Sequence, residues 1–308
     1  MNQITELLGI KYPIFQGAMA QISMSPLVSA VSNAGGLGII ATGSMSVDKL
    51  REEILKTQQL TDKPFAVNLM LMMANCEEIV DLVIELGVKI VTTGAGTPKR
   101  FMPKLKEAGI IVIPVVPSVK LAKKMEELGV DALVVEGTEA GGHIGEVATL
   151  PLVTSVIQTV SIPVVAAGGF SDGRGLAAAF ALGASGIQMG TAFLASKECP
   201  VPESYKEKIV SSVETDTVVT GRSQGAPVRS ILNKMTLKYI EMEKAEMDRE
   251  ELEKLTMGSL RKAVVEGNTD EGSVMAGQIV GNIKQIRSVE DIIETTIEEY
   301  RNVSLPII

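Results

Sequence analysis

The sequence predicts an α/β fold, a (β/α)8 TIM barrel carrying a small appended, mostly helical domain or lid. Three observations carry this prediction. Eight short apolar runs alternate with longer helical patterns from the start to about residue 191. The runs are near-continuously apolar, the pattern of strands buried on both faces of a parallel sheet. Three of the helical patterns stop at a glycine that an apolar run soon follows. An eightfold β-turn-α repeat favours a closed barrel over an open doubly wound sheet.

The runs fall in order. The first is Tyr12-Pro13-Ile14-Phe15-Gln16, with Gly17 after it, and the second Gly38-Ile39-Ile40-Ala41. Phe65-Ala66-Val67-Asn68 and Ile90-Val91-Thr92-Thr93 are the third and fourth, the latter leading into Gly94-Ala95-Gly96. The fifth spans Ile110 to Val116, and the sixth is Ala132-Leu133-Val134-Val135-Glu136. Pro163 to Ala167 and Gly186-Ile187-Gln188-Met189 complete the set. Between them, Glu77 to Leu86 places apolar residues at i, i+3, i+4 and i+7, as an amphipathic helix does. Gly87, Gly109 and Gly129 then serve as helix stops.

The texture changes near Lys197-Glu198-Cys199-Pro200-Val201-Pro202. Met235 to Leu255 is rich in Glu, Lys and Met and reads as a charged helical stretch with a solvated face. Ser288 to Arg301 reads as a closing helix with Ser288 as N-cap and acidic residues early in it. The expected organisation is a barrel over 1–196, a smaller substrate or lid domain over 197–285, and a segment 286–308 whose helix returns to the barrel.

Composition narrows the class. The chain has 308 residues, 45% of them hydrophobic, enough for a large core. A net charge of -8 and 3% aromatic content argue against a nucleic-acid partner, which needs a basic footprint or a stacking platform. Cys76 and Cys199 stand alone, so no metal site is expected. No uncharged apolar run reaches 18 residues and the N-terminus carries no basic-then-apolar leader. The expectation is a soluble, cytoplasmic protein with no membrane partner.

In such a barrel the chemistry lies at the C-terminal ends of the strands. The residues that finish the runs are therefore the informative ones. Gly168-Gly169 after the seventh run and Gly190-Thr191 after the eighth bring glycine to adjacent strand-to-helix turns. Bare amides at helix N-termini bind anions, and barrels often hold phosphate there. No Gly-x-Gly-x-x-Gly follows the first run and no P-loop is present, so neither kind of nucleotide site is indicated. Asn68 and Glu136 close buried runs, where they could meet polar ligand groups or simply cap neighbouring backbone. His143 is the only histidine, set in Glu139-Ala140-Gly141-Gly142-His143-Ile144-Gly145 after the sixth run. Imidazole titrates near neutrality, so this residue is either the proton-handling group or a loop residue satisfying local hydrogen bonds.

The residues also resemble a known family. Tyr12 to Gly17, Ala34-Gly35-Gly36-Leu37-Gly38-Ile39-Ile40, Thr61-Asp62-Lys63-Pro64-Phe65 and Thr92 to Gly96 match it in order. So do Ile113-Pro114-Val115-Val116-Pro117, Glu139 to Gly145, Ala166 to Gly169, and Gly272-Ser273-Val274-Met275-Ala276-Gly277-Gln278. The chain resembles the flavin-dependent type II enoyl-acyl-carrier-protein reductases, within the wider nitronate monooxygenase-like (2-nitropropane dioxygenase) group. That resemblance implies FMN, with its phosphate on Gly168-Gly169 and Gly190-Thr191. It further implies cofactor contacts from Gly17, Ala18, Met19, Asn68, Glu136, Gly142 and Gln278.

NADH or NADPH would be the reductant, and a trans-2-enoyl thioester of acyl carrier protein the oxidant, in fatty-acid elongation. His143 would donate the proton or orient the substrate, with water as the competing proton source. A homodimer is the implied assembly, and a monovalent cation a further candidate ligand. The Met-rich stretch Leu69-Met70-Leu71-Met72-Met73 could line an acyl channel or pack in the core.

Two stretches depart from the family pattern. Ala18 stands where a second glycine is common, with Gln21 where an aromatic is, and Ala226 replaces a histidine before Pro227-Val228-Arg229. Both bear on chain-length preference and cation dependence rather than on the flavin. The alternative functions are a nitronate monooxygenase, in which the same histidine would be a base, and a non-catalytic phosphate-ligand barrel.

Overall fold

Segments apolar on every face belong in a wall with packed side chains on both sides. The computed structural model, which describes residues 2–304, puts them there. They form β1 (Ile14–Gln16), β2 (Gly38–Ala41), β3 (Phe65–Met70), β4 (Ile90–Gly94), β5 (Ile111–Val116) and β6 (Leu133–Glu136). The two-residue β7 (Gly142–His143) stands apart from the wall, and β8 (Val164–Ala167) and β9 (Gly186–Met189) complete it. The eight wall strands are parallel, in the order β1-β9-β8-β6-β5-β4-β3-β2. A bridge between Phe15 and Leu37 links the two ends and closes the barrel.

Strand alternation sorts the side chains into two cores. Phe15, Ile39, Ala66, Ile90, Ile113, Val134 and Val165 point inward and fill the barrel. Their neighbours Ile14, Ile40, Val67, Val91, Val112, Val135 and Ile187 point outward against the helices. The lower end is plugged by α1 (Gln3–Leu8), whose Ile4 and Leu8 join the inner core. Asn2 caps it, Oδ1 accepting from Ile4 and Thr5 amides at 3.0 and 3.2 Å. Ile4, Leu7 and Leu8 carry the i, i+3, i+4 spacing of a helix, but over only two turns.

The outer layer comprises α2 (Ser25–Asn33), α3 (Val47–Leu60), α4 (Cys76–Glu85), α5 (Met102–Glu107), α6 (Val119–Glu127), α7 (Thr149–Ile157) and α8 (Gly173–Ala181). The predicted glycine stops are left-handed, with φ of 69° at Gly87, 68° at Gly109 and 77° at Gly129. After β9 come α9 (Thr191–Leu194), α10 (Glu203–Ser211), β10 (Thr217–Thr220), β11 (Val228–Ile231), α11 (Lys234–Lys244), α12 (Arg249–Thr256) and α13 (Ser259–Val264). The closing helix is α14 (Val289–Arg301), and the Ser288 hydroxyl caps it by accepting from the Asp291 amide at 3.1 Å. It lies against α8, with Phe180 and Tyr300 edge to face at 5.3 Å.

Two details differ from the sequence expectation. The stretch Met235 to Leu255 is not one helix. Glu246 turns left-handed (φ 53°), and Asp248 caps a second helix through the Glu251 amide at 2.9 Å. β3 runs on to Met70, so Asn68 sits inside a strand rather than at its end. Beside its helices the added segment carries a hairpin of β10 and β11, and β11 pairs antiparallel with β7. Met1 and residues 305–308, part of the 286–308 segment, lie outside the described residues. Among the described residues no helix is long and apolar enough to cross a membrane, and no group of three His, Cys, Asp or Glu could hold a metal ion.

Candidate active site

The last inward positions of the strands form the floor of a cavity of about 600 Å³ at the C-terminal mouth. That volume lies within the range of cofactor and small-molecule sites. Gly17, Ala18, Met19, Asn68, Glu136, Gly142, His143, Gly168, Gly169, Gly190 and Thr191 all line it. Eleven residues spread from position 17 to 191 therefore converge on one space. Gln278 does not join them. It opens the short 3₁₀ turn Gln278–Asn282 with an exposed side chain, while Gly277 and Ile279 take the lining positions. Its amide instead donates to Glu139 O at 2.9 Å.

Three polar side chains rise from the floor. Asn68 Nδ2 donates to Thr92 Oγ1 at 2.9 Å, so this residue bonds a side chain rather than capping backbone. Among the described residues the Glu136 carboxyl has no counter-charge beside it, and burial pushes its pKa up to about 7. Gln188 is 8% exposed, and among the described residues its amide makes no hydrogen bond. Sequence reading passed over Gln188 as a site residue. The available signal was parity: it stands two after Gly186 and two before Gly190, on the inward face of the last strand.

The loop after β1 is held beside this floor by a fully buried glutamine. Gln16 Oε1 accepts from the Ile39 amide at 3.1 Å, and Gln16 Nε2 donates to Ser23 Oγ at 2.8 Å and to Gly17 O. Ser23 Oγ in turn accepts from the Met19 amide at 2.9 Å.

At the end of β8 the chain needs two consecutive left-handed residues, Gly168 (φ 93°) and Gly169 (φ 86°). A Cβ on Gly168 would stand 2.9 Å from Thr149 Oγ1 and 3.0 Å from Gly137 O, so glycine is required for space as well. Among the described residues the amides of Gly168, Gly169 and Gly190 make no hydrogen bond. Bare N–H groups converging this way form an anion cradle.

The histidine loop crosses the same mouth. Thr138 N donates to Val147 O at 2.9 Å, and the Glu139 carboxylate accepts from the Thr149 amide at 2.9 and 3.1 Å. Thr149 Oγ1 lies 2.7 Å from Glu139 Oε2 and 2.9 Å from Gly168 O, tying this loop to the anion cradle. His143 is exposed at the cavity lip. No hydrogen bond to its imidazole exists among the described residues, so it is not a satisfied loop histidine. Outside it the wall turns apolar. Met70 and Met72 line the cavity with Met275 and Phe170, whereas Leu69 is fully buried in the outer core. The Met-rich stretch thus contributes to both the cavity wall and the core.

A flat ring with a polar edge and an anionic tail fits this arrangement: bare amides at one end, unpaired Gln188 and Glu136 on the floor, methionines above. The nitronate monooxygenase family model matches residues 1–299. A probable nitronate monooxygenase of Staphylococcus saprophyticus is 39% identical, over 90% of this chain and 91% of its own. A (3aS,4S,5R,7aS)-5-hydroxy-7a-methyl-1-oxo-octahydro-1H-indene-4-carboxyl-CoA dehydrogenase of Rhodococcus jostii is 36% identical, over 94% of this chain and 93% of its own. The solved structure of FabK from Thermotoga maritima superposes with a TM-score of 0.95 and 48% identity, covering 98% of this chain and 96% of that one.

Proposed function

Since the chain belongs to the nitronate monooxygenase family of oxidoreductases, we propose that it is an FMN-dependent enoyl-acyl-carrier-protein reductase using NADH or NADPH. The observation that carries this reading is one cavity with an anion cradle at its inner end, an unpaired imidazole at its lip and methionines along its entrance. The 48% identity to FabK and the ordered sequence resemblance support it further.

Gly168, Gly169, Gly190 and Thr191 would hold the FMN phosphate, and Asn68, Glu136 and Gln188 would meet its polar groups. Bound there, FMN supplies hydride transfer from a reduced nicotinamide to the β-carbon of a trans-2-enoyl thioester. The chain's own task is the other half of the reduction. His143, at the lip, would give a proton to the α-carbon of the thioester enolate or orient its carbonyl. Met70, Met72, Met275 and Phe170 would hold the acyl chain, their flexible thioethers adapting to its shape. The added segment 197–285 would close over that chain as a lid, and the physiological assembly would be a homodimer.

The test is an anaerobic NADH titration followed in the visible spectrum, then reoxidation by a crotonyl or longer enoyl thioester. Bleaching of a flavin spectrum and its thioester-dependent return are expected. A colourless protein that stays so with added FMN would overturn the reading. The 39% identity to a probable nitronate monooxygenase favours a second reading, in which His143 removes a proton from the substrate. Oxygen uptake with a nitronate, and no turnover of enoyl thioesters, would favour it.

A further inference from the structure

The imidazole of His143 has no side-chain partner among the described residues, so only its backbone can fix where it points. That backbone is gripped from outside the barrel. In the β7–β11 pairing, His143 stands opposite Val228 and Gly142 opposite Arg229, and the Ile144 amide donates to Pro227 O at 3.1 Å. Gly141 passes so close to Ala276 and Gly277 that a Cβ would lie 2.6 Å from backbone. The segment after the barrel therefore holds the histidine from two sides.

One side chain in this grip is costly to keep. Arg229 is 6% exposed, and among the described residues its three hydrogen bonds all go to uncharged oxygens. Nε and Nη2 both donate to Thr138 O, at 3.1 and 3.0 Å, while Nη1 donates to Thr217 Oγ1 at 3.1 Å. A buried cation bonded only to neutral acceptors is a poor route to stability, because its desolvation is incompletely offset. What the guanidinium does supply is geometry. Its rigid fork joins three pieces of chain: β10 through Thr217, β11 through its own backbone, and the loop after β6 through Thr138. Those pieces frame the strand that carries the imidazole.

We propose that Arg229 is the positioning residue for His143, locking the β10–β11 hairpin to the Thr138–His143 loop so that the imidazole is held over the cavity. The proposal rests on the role assigned to His143 above and extends it to a residue that touches neither substrate nor cofactor. Arg229 acts only through backbone, so its loss misplaces the imidazole without removing it. A misplacement of about 1 Å at a reacting group costs up to roughly 100-fold in rate.

The experiment compares Arg229→Met, which fills the space without donors, with Arg229→Lys, which keeps the charge without the fork. Because the chain has one histidine, histidine-selective NMR of ¹⁵N-His-labelled holoprotein reads that imidazole as a single signal, independent of turnover. Both variants are expected to keep FMN and to accept hydride from NADH at near the wild-type rate. Thioester-dependent reoxidation should slow roughly 10- to 100-fold, with the imidazole signal shifted or split. His143→Ala/Arg229→Met should be no slower than His143→Ala. If Arg229→Met fails to fold, Arg229→Lys carries the same readouts. Wild-type reoxidation with an unmoved imidazole signal, or losses that multiply in the double variant, would overturn the proposal. Should His143→Ala alone leave reoxidation intact, the proton role of His143 falls, while the imidazole signal in the Arg229 variants still decides whether this residue positions it.

Discussion

His143 and Glu136 are the two side chains whose chemistry can be tested singly. His143→Ala is expected to leave NADH-dependent flavin reduction intact and to slow thioester-dependent reoxidation by about 100-fold or more, the range general acids supply. Stopped-flow measurement of the two half-reactions separates the effects, and equal rates in both would remove His143 from the reaction. Glu136 makes a pH prediction. Its folded-state pKa is raised to about 7 from the ordinary 4.5. The native protein thus holds this proton more tightly than the unfolded chain does. The associated stability is full below about pH 4.5 and is lost as pH rises through 7. Glu136→Gln should raise the melting temperature of the FMN-free protein by a few degrees at pH 8 and leave it near unchanged at pH 4.5. An equal gain at both values would mean the carboxyl is not perturbed by burial.

At the scale of elements, the turns and the plug are the sensitive parts. Gly168→Ala forces a left-handed non-glycine residue, costing about 1–2 kcal/mol from the backbone alone. Crowding against Gly137 O, 3.0 Å from the new Cβ, adds to it. Gly169 has a similar φ, but its Cβ would meet nothing nearer than Glu139 Cβ at 3.6 Å. Denaturant titration should therefore rank Gly168→Ala as the more destabilising, and equilibrium dialysis should show weaker FMN retention in both. At the other end of the barrel, Ile4 of α1 is completely buried in the inner core. Ile4→Ala should cost about 2–5 kcal/mol, read by the same titration. A loss under 1 kcal/mol would mean the plug is not packed as described.

For the molecule as a whole, the site is assembled across the chain. The barrel contributes the anion cradle and floor, whereas residues 228–231 and 275–279 hold the histidine loop and part of the lining. A backbone bridge between Ser196 and Arg287 and the packing of α14 on α8 tie the added segment and closing helix to the barrel. FMN at about 100 times its Kd should stabilise the native state by about 2.7 kcal/mol, raising the calorimetric midpoint by several degrees. A midpoint indifferent to FMN would argue that the cradle holds some other anion.

Much of this was written in local pattern. The doubly buried strands, the glycine stops at 87, 109 and 129, the Ser288 cap and the paired glycines at two adjacent turns are all one-dimensional signals, because they arise from contacts a few residues long. Together with the family resemblance they named eleven of the residues that line the cavity. What the chain could not show locally was decided by tertiary packing. Gln278 belongs to a matching stretch, but the turn it opens sends its neighbours inward instead. Gln188 faces the cavity only because barrel closure makes one side of β9 interior. The pairing of β11 with β7 depends on partners far along the chain. Strand periodicity and turn chemistry are properties of neighbours in sequence, so the amino-acid order alone determined the barrel, the bare-amide turns and the solitary imidazole. Which side chains share the cavity, and what holds that imidazole in place, depend on contacts between residues more than a hundred positions apart, such as Phe15 with Gln188 and Gly141 with Ala276, and only the folded molecule brings those together.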